Sequence, residues 1–362
     1  MRKQPQHQQS EIQAERSGPS SSVGVIPPTS PEEDAALLYK DFKGSACDVG
    51  RLVRILAQRD ATHRHLIAQH YKKKYDEELS DRISSELGML GKGDLKERVG
   101  LDLSSNRSGS FRFLAMDIKK AIALWLLAES ERDANIVWQS LQLMSLDKAA
   151  LTEVICSRSP SQLRNLKRAY FTYFKSELSK DINSSTLLNN NNIKELLIAC
   201  LDEAAREEGT NVDMKLAEKD AKQLYKDGEK IWGTNNKTFI DIFTKRNRPH
   251  LAAIDVAYNK LYGHSLEEAV RKETSRSFKD GLLTLLKCAK NPAKYFAEVL
   301  YNSMKSLGTS DTTLIRVVMT RAGIDLEDIK KEYVLAYKTS LKDYIHDDMS
   351  GDYRTFLLNL VD

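Results

Sequence analysis

Prolines number eight and cysteines four in a chain of 362 residues, too few of either to organise a fold. The cysteines, Cys47, Cys156, Cys200 and Cys288, form no C-x-x-C pair and lie far apart. That excludes a disulfide framework or a zinc ribbon and makes reduced thiols the expectation. No run of about 18 apolar residues is present, so no transmembrane helix is expected. Charge of one sign is not in excess: 55 basic against 51 acidic side chains leave +4. This balance gives no reason to expect nucleic acid, although it is compatible with an anionic membrane surface. A phosphate cradle, a dinucleotide fingerprint, a catalytic triad and a paired-carboxylate acid/base pattern are also missing, so no enzyme activity is expected. The N-terminus "MRKQPQHQQSEIQAERSGPSSSVGVIPP" is basic but lacks the apolar segment of a secretory signal.

What remains is helical. Residues 1–33 are rich in Gln, Ser and Pro and are expected to form a disordered tail. From Asp34 onward, stretches such as "DAALLYKDFK" and "DVGRLVRILAQR" carry the spacing of amphipathic helices, and strand-like alternation is absent through most of the chain. A fourfold repeat is hidden by unequal gaps. Ala46, Ser145, Gly233 and Gly308 serve as reference points. Each is followed at a fixed distance by an Arg (Arg59, Arg158, Arg246, Arg321), then by a Tyr (Tyr71, Tyr170, Tyr258, Tyr333) and then by an aromatic (Tyr75, Phe174, Tyr262, Tyr337). The expected units are residues 34–128, 129–203, 215–290 and 291–362. Residues 88–116 are a Gly- and Ser-containing insertion in the first unit, and 202–214 a charged linker.

The recurring Arg is expected to be a buried, paired charge that fixes geometry within each unit, and the Tyr a core residue with a bonded hydroxyl. The reference points themselves lie in short loops, "KSLGTSD" being the most open. Forty residues after three of them stands an acid: Glu86 after Ala46, Glu273 after Gly233 and Asp348 after Gly308. Ser185 stands forty after Ser145. A glycine-containing loop can turn backbone carbonyls inward. Carbonyl oxygens with one carboxylate, completed by water, make a hard-oxygen site suited to Ca²⁺. With a single carboxylate the ion keeps positive charge toward an anionic phosphate, which points to a bridge to a lipid headgroup. The plainer alternative is that the Gly-Thr is only a helix N-cap.

The segment "GTSDTTLIRVVMTRAGIDLEDIKKEYVLAYKTSLKDYIHDDMSGDYRTFLLNL" resembles the fourth repeat of an annexin, and "DAALLYKDFKG" through "SSEL" resembles the first. "VICSRSPSQLRNLKRAYFTYF" and "KCAKNPAKYFAEVLYNSMK" resemble the plant members in particular. The resemblance implies an all-α curved disc of four repeats of about five helices each, with Ca²⁺ sites in the loops between the first and second helices of each repeat. The family's loop reads Met/Leu-Lys-Gly-x-Gly-Thr. It maps onto Met304, Ser306, Gly308 and Asp348 in the fourth unit, where Ser306 replaces a Gly. In the third unit it maps onto Glu229, Ile231, Gly233 and Glu273, with Ile231 replacing a Gly. In the first it maps onto Phe42, Gly44, Ala46 and Glu86, with Ala46 replacing a Gly and Cys47 the Thr. The second unit, "QLMSLDKA", lacks glycines and acid, and no site is expected there. Trp232 in the third loop and Leu307 in the fourth are placed for membrane contact.

The resemblance further implies calcium-dependent binding to acidic phospholipid membranes, with self-association on the membrane possible, and a cytoplasmic protein that becomes peripheral on membranes when calcium rises. Two alternatives stay open: a calcium-independent helical scaffold with degenerate sites, and a redox or peroxidase-like activity through Cys156 and Cys288, which match two plant-family cysteines. Against the latter, Gln58 stands where a peroxidase-linked His is proposed in plant members, and buried inert thiols are the simpler reading. His63, His65 and His70 lack an acid or Cys at zinc spacing. Asp133, Arg158 and Arg321 match positions near the family's central hydrophilic channel, where a structural ion network is the safer reading.

Overall fold

The computed structural model describes residues 29–43, 49–86, 121–122, 124–142, 147–186, 188–202, 204–207, 209–230, 235–274, 276–305, 311–349 and 351–362. The segment 1–28 of the expected tail, the 88–116 insertion and the loops 44–48, 143–146, 231–234 and 306–310 lie outside them. Nineteen helices and no strand are found among the described residues.

The first unit holds α1 (Pro31–Phe42), α2 (Val49–Ala57), α3 (Ala61–Tyr75) and α4 (Leu79–Glu86), followed by helical residues within 121–126. The second holds α5 (Glu129–Ser140), α6 (Lys148–Ser157), α7 (Pro160–Phe174), α8 (Leu178–Ser184) and α9 (Asn191–Leu201). The third holds α10 (Met214–Asp227), α11 (Asn236–Lys245), α12 (Arg248–Tyr262), α13 (Leu266–Glu273) and α14 (Arg276–Lys290). The fourth holds α15 (Pro292–Lys305), α16 (Asp311–Arg321), α17 (Leu326–Tyr337), α18 (Leu341–Asp348) and α19 (Gly351–Val361). The expected all-α, four-repeat architecture is therefore present.

Local chemistry sets the helix ends. The third helix of a unit starts at a side chain that accepts a backbone N–H: Asp60 from His63, Ser159 from Gln162, and Asn247 from His250. It stops at a residue in the left-handed region, Asp76, Lys175, Gly263 or Lys338, with φ of 53°, 54°, 78° and 61°. The same residue register turns the chain in all four units, and only the third uses the glycine that is free of Cβ strain there.

First and third helices of each unit pack together, and an aromatic pair stacks across them. Ring centroids lie 3.6 Å apart for Tyr39 and Tyr75, 4.9 Å for Trp138 and Phe174, 3.8 Å for Tyr225 and Tyr262, and 3.7 Å for Tyr301 and Tyr337. Stacked or offset rings of this kind contribute about 0.5–1.5 kcal/mol beyond area burial.

The repeated Arg is paired in every unit. Arg59 meets Asp34 at 2.7 Å, Arg158 meets Asp133 at 2.6 Å, and Arg246 meets Asp220 at 2.6 Å, each acid lying on the unit's first helix. Burial alone would lower the Arg158 pKa, but the charge and hydrogen bonds of Asp133 outweigh it and raise the pKa above the usual value. The fourth unit departs from this pattern. Its first helix carries Phe296 at the acid's register. Arg321 lies over that ring at 4.5 Å and takes Asp325, four residues on, at 2.7 Å. Asp325 is thereby withdrawn from capping α17, which makes no side-chain cap bond and runs 12 residues against 15 in α3, α7 and α12.

Contacts between units close the chain on itself. α2 packs along α19, with Gln58 donating to Asn359 at 3.0 Å, and α6 and α9 pack on α14. Arg316 of the fourth unit meets Glu153 of the second at 3.0 Å, both nearly inaccessible. Trp125 donates to the Leu56 carbonyl at 2.8 Å and has two guanidiniums over its ring, Arg64 at 3.7 Å and Arg132 at 5.2 Å. Burial, with Arg132 close by, pushes the Arg64 pKa down to about 9. Arg132 donates to the carbonyls of Leu124, Leu127 and Met319.

Candidate functional site

The expected sites lie where a unit's first helix ends opposite the end of its fourth. In the fourth unit that corner holds Met304, buried in the last turn of α15, and the exposed Asp348, the last residue of α18. The carbonyl of Met304 belongs to the four that a helix end leaves without intrahelical partners. It accepts a hydrogen bond from the Tyr344 hydroxyl at 2.7 Å. Tyr344 stands one turn before Asp348 on the same face of α18. Its pKa is raised first by burial and then by the negative charge of Asp348. Tyr333 is fully buried beside them, with its hydroxyl unpartnered among the described residues. The Tyr column was expected to be bonded throughout; Tyr170 meets that expectation through Asp181 at 2.8 Å, while Tyr333 does not. Ser306, Leu307 and Gly308 lie outside the described residues.

The first unit builds the same corner with a different donor. Arg82 of α4 donates to the Phe42 carbonyl at the end of α1, at 2.7 Å. Glu86 follows one turn later in α4. Gly44, Ala46 and Cys47 lie outside the described residues.

In the third unit, a count from Gly233 hides one extra residue. The stacked Tyr39 and Tyr301 are followed three residues later by Phe42 and Met304, whereas Tyr225 is followed three later by Gly228, not Glu229. Gly228 closes α10, and a Cβ there would stand 2.9 Å from the Leu224 carbonyl oxygen and 3.1 Å from the Phe239 ring, so the position requires glycine. Glu229 anchors the turn through its side chain. It accepts from the Tyr258 hydroxyl, and His264 Nε2 lies 2.8 Å away. Burial would raise the Glu229 pKa, but these hydrogen bonds outweigh it and hold it below the usual range, while the carboxylate raises that of His264. Asn235 N–H donates to the Asp227 carbonyl at 2.8 Å and closes the loop at its far end. Glu273 is half-buried at the end of α13. Ile231, Trp232 and Gly233 lie outside the described residues.

The second unit differs again. Opposite Leu141 stands Asp181, tied down by Tyr170 and by Ser176 at 2.7 Å. Where the fourth unit has its tyrosine clamp, this corner is an open cavity of 240 Å³ lined by Trp138, Leu141, Asp181 and Ser185 among others.

The donor chemistry fits a hard cation. Main-chain oxygens, one carboxylate and room for waters satisfy Ca²⁺, and a water on the ion would donate to a hydroxyl such as that of Tyr333. Among the described residues no group of three His, Cys, Asp or Glu side chains could hold a metal. A site made largely of carbonyls does not require one.

Four matches to the sequence model of the Annexin family fall at residues 33–97, 132–199, 219–285 and 295–360. This chain is an annexin. It is 40% identical over 332 residues to Annexin D5 of Arabidopsis thaliana, covering 92% of this chain and 95% of that protein. This match agrees with the plant resemblance. Among solved structures it is similar to annexin III, with a TM-score of 0.81 at 29% identity, covering 93% of this chain and 95% of that one. It is also similar to calcium-bound annexin (Sm)1, with a TM-score of 0.73 at 25% identity and 93% of each chain covered. No helix among the described residues is long and apolar enough to cross a membrane.

Two further features of this annexin bear on function. Cys156, Cys200 and Cys288 are all buried. Burial pushes the Cys288 thiol up to about 12, and Cys156 is raised by its neighbour Cys200 and by burial. A cavity of 640 Å³ where the second, third and fourth units meet is lined by Glu153, Lys287 and Arg316 among others. Lys287 lies 2.6 Å from Glu298, and Arg316 is paired with Glu153 as described, so these lining charges are held in ion pairs.

Proposed function

We propose that this annexin binds acidic phospholipid membranes in a calcium-dependent manner, as its family membership implies, with the fourth unit as the principal site. The observation that carries the reading is the hydrogen bond from Tyr344 to the Met304 carbonyl, made one helical turn before Asp348. Met304, Ser306 and Gly308 would offer carbonyls, and Asp348 a carboxylate. The third unit would offer Gly228 or Glu229, Ile231, Gly233 and Glu273, and the first Phe42, Gly44, Ala46 and Glu86. Bound Ca²⁺ supplies the positive charge that attracts a lipid phosphate. The chain's own residues fix the carbonyls, direct the carboxylate and leave outward positions open. Trp232 and Leu307 would contact the interface, basic surface residues would add nonspecific attraction, and self-association would follow on the membrane. The protein would be cytoplasmic at low calcium and peripheral on membranes when calcium rises. The repeats would occupy 34–128, 129–203, 215–290 and 291–362, with α1 and α10 starting slightly before the first and third of these, at Pro31 and Met214.

The redox alternative is disfavoured by the thiols themselves. With pKa values well above neutral, Cys156 and Cys288 remain protonated and are poor nucleophiles. The deciding experiment is cosedimentation with phosphatidylserine vesicles across a calcium series, wild type against Asp348→Ala. The variant is expected to need about tenfold more calcium, the scale of one lost charged ligand. Equal binding would move the principal site to Glu273 or Glu86, and binding unaffected by chelator would leave the calcium-independent scaffold.

A further inference from the structure

In the first and fourth units, a side-chain donor on the fourth helix reaches the carbonyl that ends the first helix. Tyr344 reaches Met304 and Arg82 reaches Phe42, both at 2.7 Å and both across 40 residues of sequence. In each case the residue one turn further along the fourth helix is the candidate acid, Asp348 or Glu86. The other two units cannot do this. Asp181 of the second is an acceptor held by Tyr170 and Ser176. In the third, Ala269 stands forty residues after Glu229 and has no donor, so Glu229 is tied instead to Tyr258 and His264.

We infer that Tyr344 is a positioning residue for calcium in the fourth unit, pinning the Met304 carbonyl to the helix end that carries Asp348 before any ion arrives, and that Arg82 has the same role toward Phe42 in the first. A carbonyl has two lone pairs. With the hydroxyl on one, the other remains for a cation, and the donated bond fixes the carbonyl's direction. The two ligand sources come from opposite ends of the unit, α15 and α18, and without a tie each must be ordered when the ion binds. Ordering completed beforehand is affinity gained. Acid and clamp also share a helix face, since Tyr344 and Asp348 stand one turn apart on α18.

This inference rests on the calcium reading above, and its test separates the two. The full-length protein and its Tyr344→Phe, Asp348→Ala and double variants are compared in three measurements. These are the calcium midpoint for binding vesicles of phosphatidylserine and phosphatidylcholine, the calcium-induced rise in Tm without lipid, and amide exchange in chelator over peptides covering the ends of α15 and α18. Tyr344→Phe is expected to raise the midpoint about three- to tenfold, the range of one net hydrogen bond. It should also shrink the calcium-induced rise in Tm and speed exchange at those helix ends in chelator. In the Asp348→Ala background it should leave the midpoint where Asp348→Ala put it.

A midpoint unchanged or lowered by Tyr344→Phe, while Asp348→Ala raises it, overturns the inference and leaves the calcium reading standing. A shift of equal size with and without Asp348 also overturns it, because general softening of the unit would act in that way. If Asp348→Ala itself has no effect, the assignment of the fourth-unit site fails first.

Discussion

The second and fourth units share a fold and differ at two matched places. In the second, the recurring Arg is sealed against an acid from the neighbouring helix, and the corner between first and fourth helices is an open cavity floored by Asp181. In the fourth, the Arg has exchanged that acid for a ring and a local partner, and the corner is clamped by Tyr344 beside Asp348. The lesson is that the repeat holds its framework and its binding corner independently. The second unit has the more deeply buried ion pair and Ser185 in place of the acid that ends the fourth helix, whereas the fourth has the less buried pair and the assembled corner.

Breaking the ion pairs should give the largest effect and the clearest contrast. Arg158→Met leaves Asp133 charged and buried at 2% exposure, and is expected to cost about 3–5 kcal/mol, measured by denaturant unfolding. Arg321→Met leaves Asp325 in a half-buried turn at 16% exposure, free to be hydrated, and should cost about 1–2 kcal/mol. Equal losses would show that the local partner in the fourth unit is held as firmly as the helix-borne one.

A smaller effect is expected at the corner of the second unit. Asp181→Ala removes the acceptor of the Tyr170 and Ser176 hydroxyls and should cost about 1–3 kcal/mol. It should leave the calcium midpoint for vesicle binding untouched, since that corner brings no acid from Ser185. A shifted midpoint would give the second unit a part in binding.

The smallest effect should lie in the third unit. His264 has its pKa raised by hydrogen bonds to Glu229 and to the Tyr262 carbonyl. A raised folded-state value means that the pair's contribution is complete below the unfolded pKa of about 6.5 and is lost as pH rises through the higher folded value. Wild-type Tm should therefore fall slightly between pH 6 and pH 8 relative to His264→Gln. Parallel curves for the two proteins would remove His264 from the account.

Much of this was readable in the sequence, for a physical reason. A column of Arg and Tyr at one spacing in four copies is imposed by packing, and packing repeats with the helices, so periodicity exposed the fourfold repeat, the paired Arg and the core Tyr, although Arg246 is half-buried where the others are buried. Substitutions that break the column were not readable. Phe296 in place of an acid says nothing by itself of Asp325, because a local pair within one turn has no counterpart in the other units. The extra residue before Gly233 was masked because counting began at the glycine; the stacked Tyr225 supplies the better origin. Tyr344 and Arg82 were missed because they are unlike in chemistry and share only the ability to donate. The acids Glu273 and Asp348 end the helices on which the spacing placed them, while the glycine loops they would face lie outside the described residues.

The packing of α2 against α19, with Gln58 bonded to Asn359 across 301 positions of sequence, has a consequence for biosynthesis. The first unit emerges from the ribosome with one apolar helix face uncovered, and its cover, α19, is made about 300 residues later. At about 5–20 residues per second, that face waits roughly 15–60 s. Truncation or stalling before α19 would thus harm a unit made much earlier, leaving it exposed to chaperones and proteases although every residue of the first unit is already in place.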